Sequence, residues 1–269
     1  YRDAVNKGDK VRLMANVTEF NNVTQLTNVT GIEICSSDNP LPTAAAVELP
    51  VENLEELEAI EGMLVSNQQG LVVSDLFGTG YGFGNYGQFV VSSKLHFQPT
   101  EIALPQSEEA IAAANARPLD ELLIDDGVSA SYPEFIPFPD ETGFSADNPM
   151  RIGYSVPNIE GVMHGWRNNF TVIPSSLTID PTNPRTAAPV IAQDSNLIIV
   201  GMNVLNYFNG PEFPTARGAS SAEEFERQSG KIISAIAAID ADIVGLMEVE
   251  NDGWSSTSAV AELVNRINA

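Results

Sequence analysis

The sequence predicts two parts of different fold class, a mainly β barrel or sandwich and, after it, a short α/β segment. Up to about residue 179, short runs rich in Val, Ile, Thr and Phe alternate with turn residues, which is typical of compact β structures. Residues 180–195 contain three prolines and no helical or strand period, so they are predicted to be a linker. From residue 196 onward, apolar runs alternate with helix-periodic segments, the pattern of parallel strands joined by helices.

Within the first part, the apolar runs predict several short strands and two helices. One helix is expected at 52–61, where Leu54, Leu57 and Ile60 recur at helical spacing. The second is expected at 107–116, an Ala-rich run that a proline ends. The predicted strands are 11–19, 29–36, 70–77, 88–97, 122–127 and two or more strands within 151–174.

The second part has a regular order of strand, helix, strand and helix. The near-continuous apolar runs 196–203 and 242–249 predict strands that are buried on both faces. Between them, Ser221 stands three residues before Glu224, which is a capping-box signature for the start of a helix. A final helix is expected near 260–267, so the segment reads as the beginning of a parallel α/β sheet.

The chain is strongly acidic, with 36 Asp and Glu against 13 Lys and Arg and a formal charge of −23. This charge argues against a generic electrostatic DNA binder, but it does not exclude a nuclease, because divalent cations can bridge acidic protein to phosphate. Scarce Lys beside abundant acid suggests a saline or extracellular setting, and an ordinary soluble acidic surface explains it equally well. The single cysteine, Cys35, excludes an intrachain disulfide and a Cys-based zinc site. No apolar run is long enough to span a membrane, and no signal peptide opens the chain.

Two polar residues are expected at one edge of the predicted α/β sheet. Asn203 is placed at the carboxyl end of the first strand and Glu248 at the carboxyl end of the second. A right-handed crossover would bring both ends to the edge where open α/β sheets bind ligands. A carboxylate and a carboxamide are hard oxygen ligands that suit Mg²⁺. Spacing alone favours the plainer alternative, in which both residues only begin polar loops.

Three runs in this region carry a resemblance to a known family: IIVGMNVLNYF (198–208), RGASSAEEFERQSGKIISAI (217–236) and DADIVGLMEVEN (240–251). They resemble the start of a DNase I-like domain, as found in the secreted bacterial extracellular nucleases of the endonuclease/exonuclease/phosphatase superfamily. Shorter upstream runs resemble the OB-like module that precedes the nuclease domain: VTEFNNVTQL, IEGMLV, LIDDG, RIGYSV and NPR. The resemblance implies an OB-like β-barrel module at 1–179 and the first βαβα part of a DNase I-like sandwich at 196–269.

The resemblance implies a function as well, metal-dependent hydrolysis of DNA phosphodiester bonds outside a bacterial cell. Glu248 would carry Mg²⁺, with Mn²⁺ or Ca²⁺ as alternatives, and Asn203 would orient the metal or the phosphate. Arg217 is either a phosphate contact or a solvated loop residue. Arg227 and Lys231 are expected to belong to a solvated helix face.

Members of this family also need histidines later in their catalytic domain, whereas the last histidine of this chain is His164. The chain is therefore expected to be an N-terminal portion of such a nuclease and to be inactive alone. Two alternatives remain open. One is a non-catalytic OB-like binding or interaction module, and the other is a phosphomonoesterase or phospholipid phosphodiesterase of the same superfamily.

Overall fold

A computed structural model of the chain describes residues 5–77, 82–166, 169–183 and 195–269. The chain divides into two compact units, residues 1–186 and 187–269. It is mostly β, with a multi-stranded mixed sheet, as expected for its fold class. Residues 184–194 of the predicted linker lie outside the described residues, so the linker remains a prediction.

The first unit contains nine strands and four short helices among its described residues. The strands are β1 (Lys10–Glu19), β2 (Thr24–Ser36), β3 (Ala45–Ala46), β4 (Leu64–Asn67), β5 (Leu71–Asp75), β6 (Phe89–Ser92), β7 (Glu121–Ile124), β8 (Ser155–Trp166) and β9 (Asn169–Asp180). The helices are α1 (Glu55–Glu58), α2 (Phe83–Tyr86), α3 (Pro99–Ile102) and α4 (Glu108–Ala116), and a 3₁₀ turn spans Arg117–Asp120.

Five strands of this unit close into a ring. Antiparallel pairing joins β5 to β6 and β6 to β7, a parallel pair joins β7 to β9, and antiparallel pairs lead from β9 to β8 and back to β5. Further along its length, β8 also pairs with β4. Alternate side chains point inward, so Leu122 and Ile124 are buried in the core while Leu123 lies on the outer face. The core includes Leu71, Val73, Phe89, Val91, Leu122, Ile124, Val156, Met163 and Val172.

The first two strands do not extend this ring. Strands β1 and β2 form a separate antiparallel hairpin, so not all of the strands predicted in the first part belong to one barrel. The carboxylate of Glu61 links the hairpin to the ring, because it accepts hydrogen bonds from the backbone N–H groups of Thr24 (3.0 Å) and Gly165 (3.1 Å).

The prediction of helix 107–116 is confirmed by α4, whereas the helix predicted at 52–61 is wrong in extent. Only Glu55–Glu58 is α-helical. Beyond Ala59 the hydrogen bonds tighten, as Ile60 N–H donates to the Leu57 carbonyl three residues back, and the chain turns at Gly62 with a φ of +73°. The apolar spacing is therefore satisfied by a short turn instead of a full helix.

The second unit contains β10 (Ile199–Tyr207), α5 (Ala222–Ile239), β11 (Ile243–Val249) and α6 (Ala259–Ile267). As predicted, β10 and β11 are parallel. Helix α5 also begins at the predicted capping box, because Ser221 Oγ accepts a hydrogen bond from Glu224 N–H at 3.2 Å. The core of this unit lies between the strands and the two helices, and includes Val204, Tyr207, Phe225, Ile232, Ile236 and Leu263.

The prediction that both of these strands are buried on two faces is wrong. Ile199, Ile243 and Met247 are 65%, 51% and 52% exposed, and they point away from the core. The reason is that, within residues 195–269, α5 and α6 both pack on the face that carries Val204, and no described element covers the other face. An apolar run alone does not distinguish one buried face from two.

Candidate functional site

The ladder between β10 and β11 is interrupted where the two candidate residues lie. Pairing is regular from Ile199 opposite Ile243 to Asn203 opposite Met247, and it resumes only at Tyr207 opposite Val249. Asn203 was predicted to end the first strand, and this is wrong, because β10 continues to Tyr207 after a bulge. The regular pairing nevertheless ends at Asn203, so the residue lies where the sheet edge opens.

The bulge contains an unusual backbone. Leu205, Asn206 and Glu248 have φ values of 55°, 55° and 63°, in the left-handed region that residues with a side chain rarely adopt. Each such residue costs on the order of 1 kcal/mol, and strained positions of this kind concentrate at functional sites. Bulges also occur next to active sites, where they redirect a side chain. Here the turn at Glu248 leaves both Met247 and Glu248 exposed, which breaks the alternation of the strand.

The bulge brings the two predicted site residues into direct contact. Asn203 Nδ2 donates a hydrogen bond to Glu248 Oε1 at 2.8 Å, and Asn203 Oδ1 accepts one from the Leu205 N–H at 2.9 Å. The backbone donor fixes which end of the amide faces the carboxylate. Both side chains are exposed, and Glu248 Oε2 has no hydrogen bond from the described residues. Asn203 thus orients a carboxylate that has one oxygen free for a ligand.

Glu250 is an acidic residue next to the bulge that the sequence did not single out. Its N–H donates to the Tyr207 carbonyl (3.0 Å), and its Oε2 atom is buried without a hydrogen-bond partner among the described residues. The available signal was the Glu-Val-Glu spacing, which places a second carboxylate two residues after Glu248.

Gln228 is a second residue that the sequence did not single out for the site. From helix α5, its Nε2 donates to the carbonyls of Val204 (3.0 Å) and Leu205 (2.8 Å). These carbonyls lie in the bulge, where the strand ladder leaves them without partners from β11. Gln228 therefore satisfies the broken backbone and fixes the bulge to the helix.

The segment that contains Arg217 packs against the bulge, but among the described contacts Arg217 itself touches neither Asn203 nor Glu248. Its neighbour Gly218 has a φ of +95°, and a Cβ atom added there would lie 2.2 Å from the Asn206 carbonyl oxygen. Only glycine fits at this position. The backbone next to Arg217 can therefore pack directly against the bulge. The Arg217 side chain is exposed, with no ion pair to any part of the chain that the structure describes.

A buried hydrogen-bond network connects the strand that carries the bulge, β10, to both helices. Tyr207 is fully buried, and its hydroxyl bonds to Ser229 Oγ (3.0 Å) on α5 and donates to the Glu262 carboxylate on α6. Burial, and then the hydrogen bond to Glu262, raise the pKa of Tyr207 above its usual range. On the outer side, Arg266 holds Glu226 through two hydrogen bonds of 2.7 Å each. These contacts tie β10 to both helices.

The donor set at the bulge fits magnesium better than a transition metal. Within the described ranges, no group of three or more His, Cys, Asp or Glu side chains lies close enough together to hold a metal ion. The bulge offers the free carboxylate oxygen of Glu248, while the Asn203 amide oxygen already accepts the Leu205 N–H. Mg²⁺ commonly binds through one or two carboxylates, and completes its shell with waters and substrate phosphate oxygens. Zn²⁺ sites in proteins usually have at least three protein ligands, mostly His or Cys, and no described His or Cys is part of the bulge.

The first unit has a cleft of its own on the outer face of the closed ring. It has a volume of about 560 Å³, and its lining includes Tyr86, Gln88, Asp125, His164 and Thr171. Thr171 points outward from β9 but is only 5% exposed, so it lies at the base of the cleft. The described part of the lining contains carboxylate, amide, imidazole and phenol groups, and neither Lys nor Arg.

Comparison of the chain with protein-family models, with curated proteins and with solved structures gives no match. None of the described helices has the length and apolar character needed to cross a membrane.

Proposed function

We propose that the bulge at Asn203 and Glu248 is the metal- and phosphate-binding part of a nuclease site that hydrolyses DNA phosphodiester bonds. The observation that carries this proposal is the 2.8 Å hydrogen bond between the two side chains at a strained bulge between parallel strands. It rests also on the resemblance to the secreted nucleases, which assigns roles to the same two residues. The proposed substrate is extracellular DNA, which is what the resemblance implies.

The proposed chemistry divides the work between the two residues. Glu248 would hold Mg²⁺ through its free oxygen, while Asn203 keeps the carboxylate in place from the other side. When bound, the cation would neutralise charge that develops on the phosphate and the leaving oxygen. Glu250 has a buried carboxylate oxygen that is also available to an ion or an ordered water. Arg217 is proposed to approach the phosphate from its exposed loop.

The strand order supports the two proposed fold assignments. The closed ring runs β5–β6–β7–β9–β8 and contains one parallel pair, the arrangement expected of an OB-like Greek-key barrel. In the second unit, the parallel β10–β11 pair with α5 and α6 on one face is what the first βαβα part of a DNase I-like sandwich would present.

The second candidate function is a non-catalytic binding module built on the barrel. The cleft of about 560 Å³ beside Asp125 and His164 favours it, because a concave site with mixed polar groups can hold a small ligand. Among the described residues that line it, the cleft has Asp125 but neither Lys nor Arg, so these residues do not favour a phosphate backbone. This function and the nuclease function use different units of the chain, so variants can separate them.

The test measures DNA binding by the 269-residue chain with and without Mg²⁺, using fluorescence anisotropy of a labelled duplex. We expect Mg²⁺ to increase the affinity, because a bridging cation offsets the repulsion between the acidic chain and DNA. Glu248→Gln should remove the Mg²⁺ effect, whereas Glu212→Gln, which removes an exposed carboxylate from a loop of the same unit, should not. If Glu248→Gln left the Mg²⁺ effect intact, the proposed role of this residue would be excluded.

A cleavage assay tests the remaining part of the proposal. The chain alone is expected not to cut supercoiled plasmid with Mg²⁺, because the histidines that the resemblance requires do not follow His164 in this sequence. Cleavage that Glu248→Gln abolishes would support the site but contradict the expected inactivity of the chain.

A further inference from the structure

The basic residues of the second unit are distributed unevenly. Residues 195–269 contain ten Asp and Glu but only four Lys and Arg: Arg217, Arg227, Lys231 and Arg266. Arg266 is fully occupied by ion pairs to Glu226 and Glu262. The other three lack ion pairs within 4.0 Å among the described residues, and all three are exposed on the side of the bulge. Against an acidic background, this grouping of unpaired cations calls for a functional explanation.

Two of these cations line a cleft that borders the bulge. The cleft has a volume of about 460 Å³, and Arg227 and Lys231 lie one turn apart on the same face of α5. Leu205 and Asn206, the left-handed residues of the bulge, form part of its lining. The bulge and the helix are held together by Gln228, the neighbour of Arg227, through its two hydrogen bonds to bulge carbonyls. The cleft is therefore fixed in place relative to Asn203.

Among the described residues that line this cleft, Glu224 carries the carboxylate. The hydrogen bonds from Ser220 lower the pKa of Glu224 most, and the charge of Arg227 contributes to lowering it without forming an ion pair within 4.0 Å. The Glu224 carboxylate accepts these hydrogen bonds from the N–H (2.7 Å) and the hydroxyl of Ser220. These bonds are part of the start of helix α5 and hold the group at the helix end. The Asn206 amide and the two cations remain as groups that can contact a ligand. The two cations suit an anion better than a neutral molecule or a cation, and the amide N–H can donate to the same anion.

We propose that Arg227 and Lys231 bind a backbone phosphate of the DNA strand, next to the phosphate that is held at Glu248. This inference rests on the proposed nuclease function and extends it to the path of the substrate. The strand would leave the bulge over Asn206, which shares the cleft with both cations and is three residues from Asn203. Because the cations contact a phosphate and no base edge, the contact adds affinity that does not depend on base sequence.

The test compares two variants that each remove one Arg and one Lys from exposed positions. Arg227→Gln/Lys231→Gln changes the cleft, and Gln maintains helix propensity on α5. Lys10→Gln/Arg12→Gln changes the β1 strand of the other unit and serves as the matched control. Binding of a labelled duplex is measured at fixed Mg²⁺ over a series of KCl concentrations. Circular dichroism confirms that α5 is retained.

The cleft variant should bind more weakly, and the slope of log affinity against log salt should become shallower by about 0.9, since one phosphate contact to duplex DNA contributes about 0.9. The control should change the slope by much less. The single variant Arg227→Lys keeps the positive charge, so its salt slope should stay close to that of the unmodified chain. If the salt slope of the cleft variant were unchanged while Glu248→Gln still removed the Mg²⁺ dependence of binding, this inference would be overturned and the proposed function would stand. Suppose instead that Glu248→Gln leaves the Mg²⁺ dependence of binding unchanged while the cleft variant still lowers the salt slope. This result would exclude the proposed function, and with it the assignment of the cleft to the nuclease substrate. Absence of DNA binding by the unmodified chain would overturn the inference directly.

Discussion

The buried network under the bulge makes a quantitative prediction for Tyr207→Phe. The variant removes one hydroxyl and retains the aromatic ring, which packs against Phe225 with ring centroids 5.0 Å apart. Tyr207 and Ser229 are both fully buried, so the Ser229 hydroxyl would lose its partner where no water reaches it. Glu262 would lose a donor but retain Arg266. A buried polar group left without a partner costs about 1–3 kcal/mol, so we expect the free energy of unfolding to fall by about 2 kcal/mol.

A double-mutant cycle separates the network from simple loss of packing. Ser229→Ala removes the other side of the bond, and replacing both partners by apolar groups is nearly neutral when the shape is conserved. Tyr207→Phe/Ser229→Ala should therefore cost less than the sum of the two single variants, by about 1 kcal/mol. Hydrogen exchange of peptides from α5 measures the stability of this unit within the full chain.

Two results would refute this reasoning. One is a loss smaller than about 0.5 kcal/mol for Tyr207→Phe, which is the range of an ordinary surface substitution. The other is strict additivity in the double variant, which would mean that Tyr207 and Ser229 stabilise the unit independently. Either result would remove the support that we assign to the residues beneath Asn203.

Three further predictions follow from the backbone and the titrating groups. Glu248→Gly should raise the free energy of unfolding by up to about 1 kcal/mol, because glycine adopts a φ of 63° without strain, while it removes the Mg²⁺ effect on DNA binding. Above pH 10 the unfolded chain loses the Tyr207 proton while the folded chain keeps it, so stability should fall with rising pH by up to about 1.4 kcal/mol per unit, and Tyr207→Phe should lack this part of the slope. Gly87→Ala should destabilise the first unit by about 1–3 kcal/mol, because a side chain is strained at a φ of +67° and the added Cβ, 2.3 Å from Asp126 Oδ2, would displace that carboxylate.

Each of these predictions has its own control. For Glu248→Gly it is Met247→Gly, at a position outside the left-handed region, which should destabilise the strand instead. For the pH series, urea unfolding of both proteins between pH 8 and about 11 should give parallel curves below pH 10, and parallel curves throughout would contradict the prediction. For Gly87→Ala it is Gly70→Ala, which has a φ of +81° but no atom within 4 Å of the added Cβ; equal losses at both positions would rule out the clash with Asp126.

Local signals in the sequence predicted much of the second unit. The capping box at Ser221 and the apolar stripe of the helix depend on neighbours a few residues away, and α5 forms where they indicate. The parallel pairing of the two strands follows from the crossover helix between them. These local signals do not show whether one face or both faces of the β10–β11 sheet are covered. Burial of Ile199 depends on which distant elements pack on the sheet, and a single apolar run carries no such information.

The candidate site was predicted in its residues but not in its geometry. Asn203 and Glu248 were expected at one sheet edge, and their side chains are in contact. The bulge that joins them was not predictable, because Leu205 in the left-handed region contradicts its own backbone preference and is held there by Gln228 from another element. Local conflicts of this kind are expected where a fold serves a function.

The cleft at Arg227 and Lys231 could not be predicted from the sequence for a similar reason. Their spacing on a helix is typical of a solvated face, and both are exposed. The cleft that they line exists only because the bulge at Leu205 and Asn206 packs beside α5. A pattern within one helix cannot reveal which loop will lie next to it, so this property of the surface belongs to the tertiary structure alone.

The most direct test of the central claim is to locate a divalent cation on the folded chain. Mn²⁺ replaces Mg²⁺ at oxygen sites and broadens the NMR signals of nearby amides. With substoichiometric Mn²⁺, the account predicts selective broadening at residues 203–206 and 247–250, reversed by excess Mg²⁺ and absent in Glu248→Gln. Broadening that occurs only elsewhere, or that persists unchanged in Glu248→Gln, would contradict the claim that this bulge is a metal site.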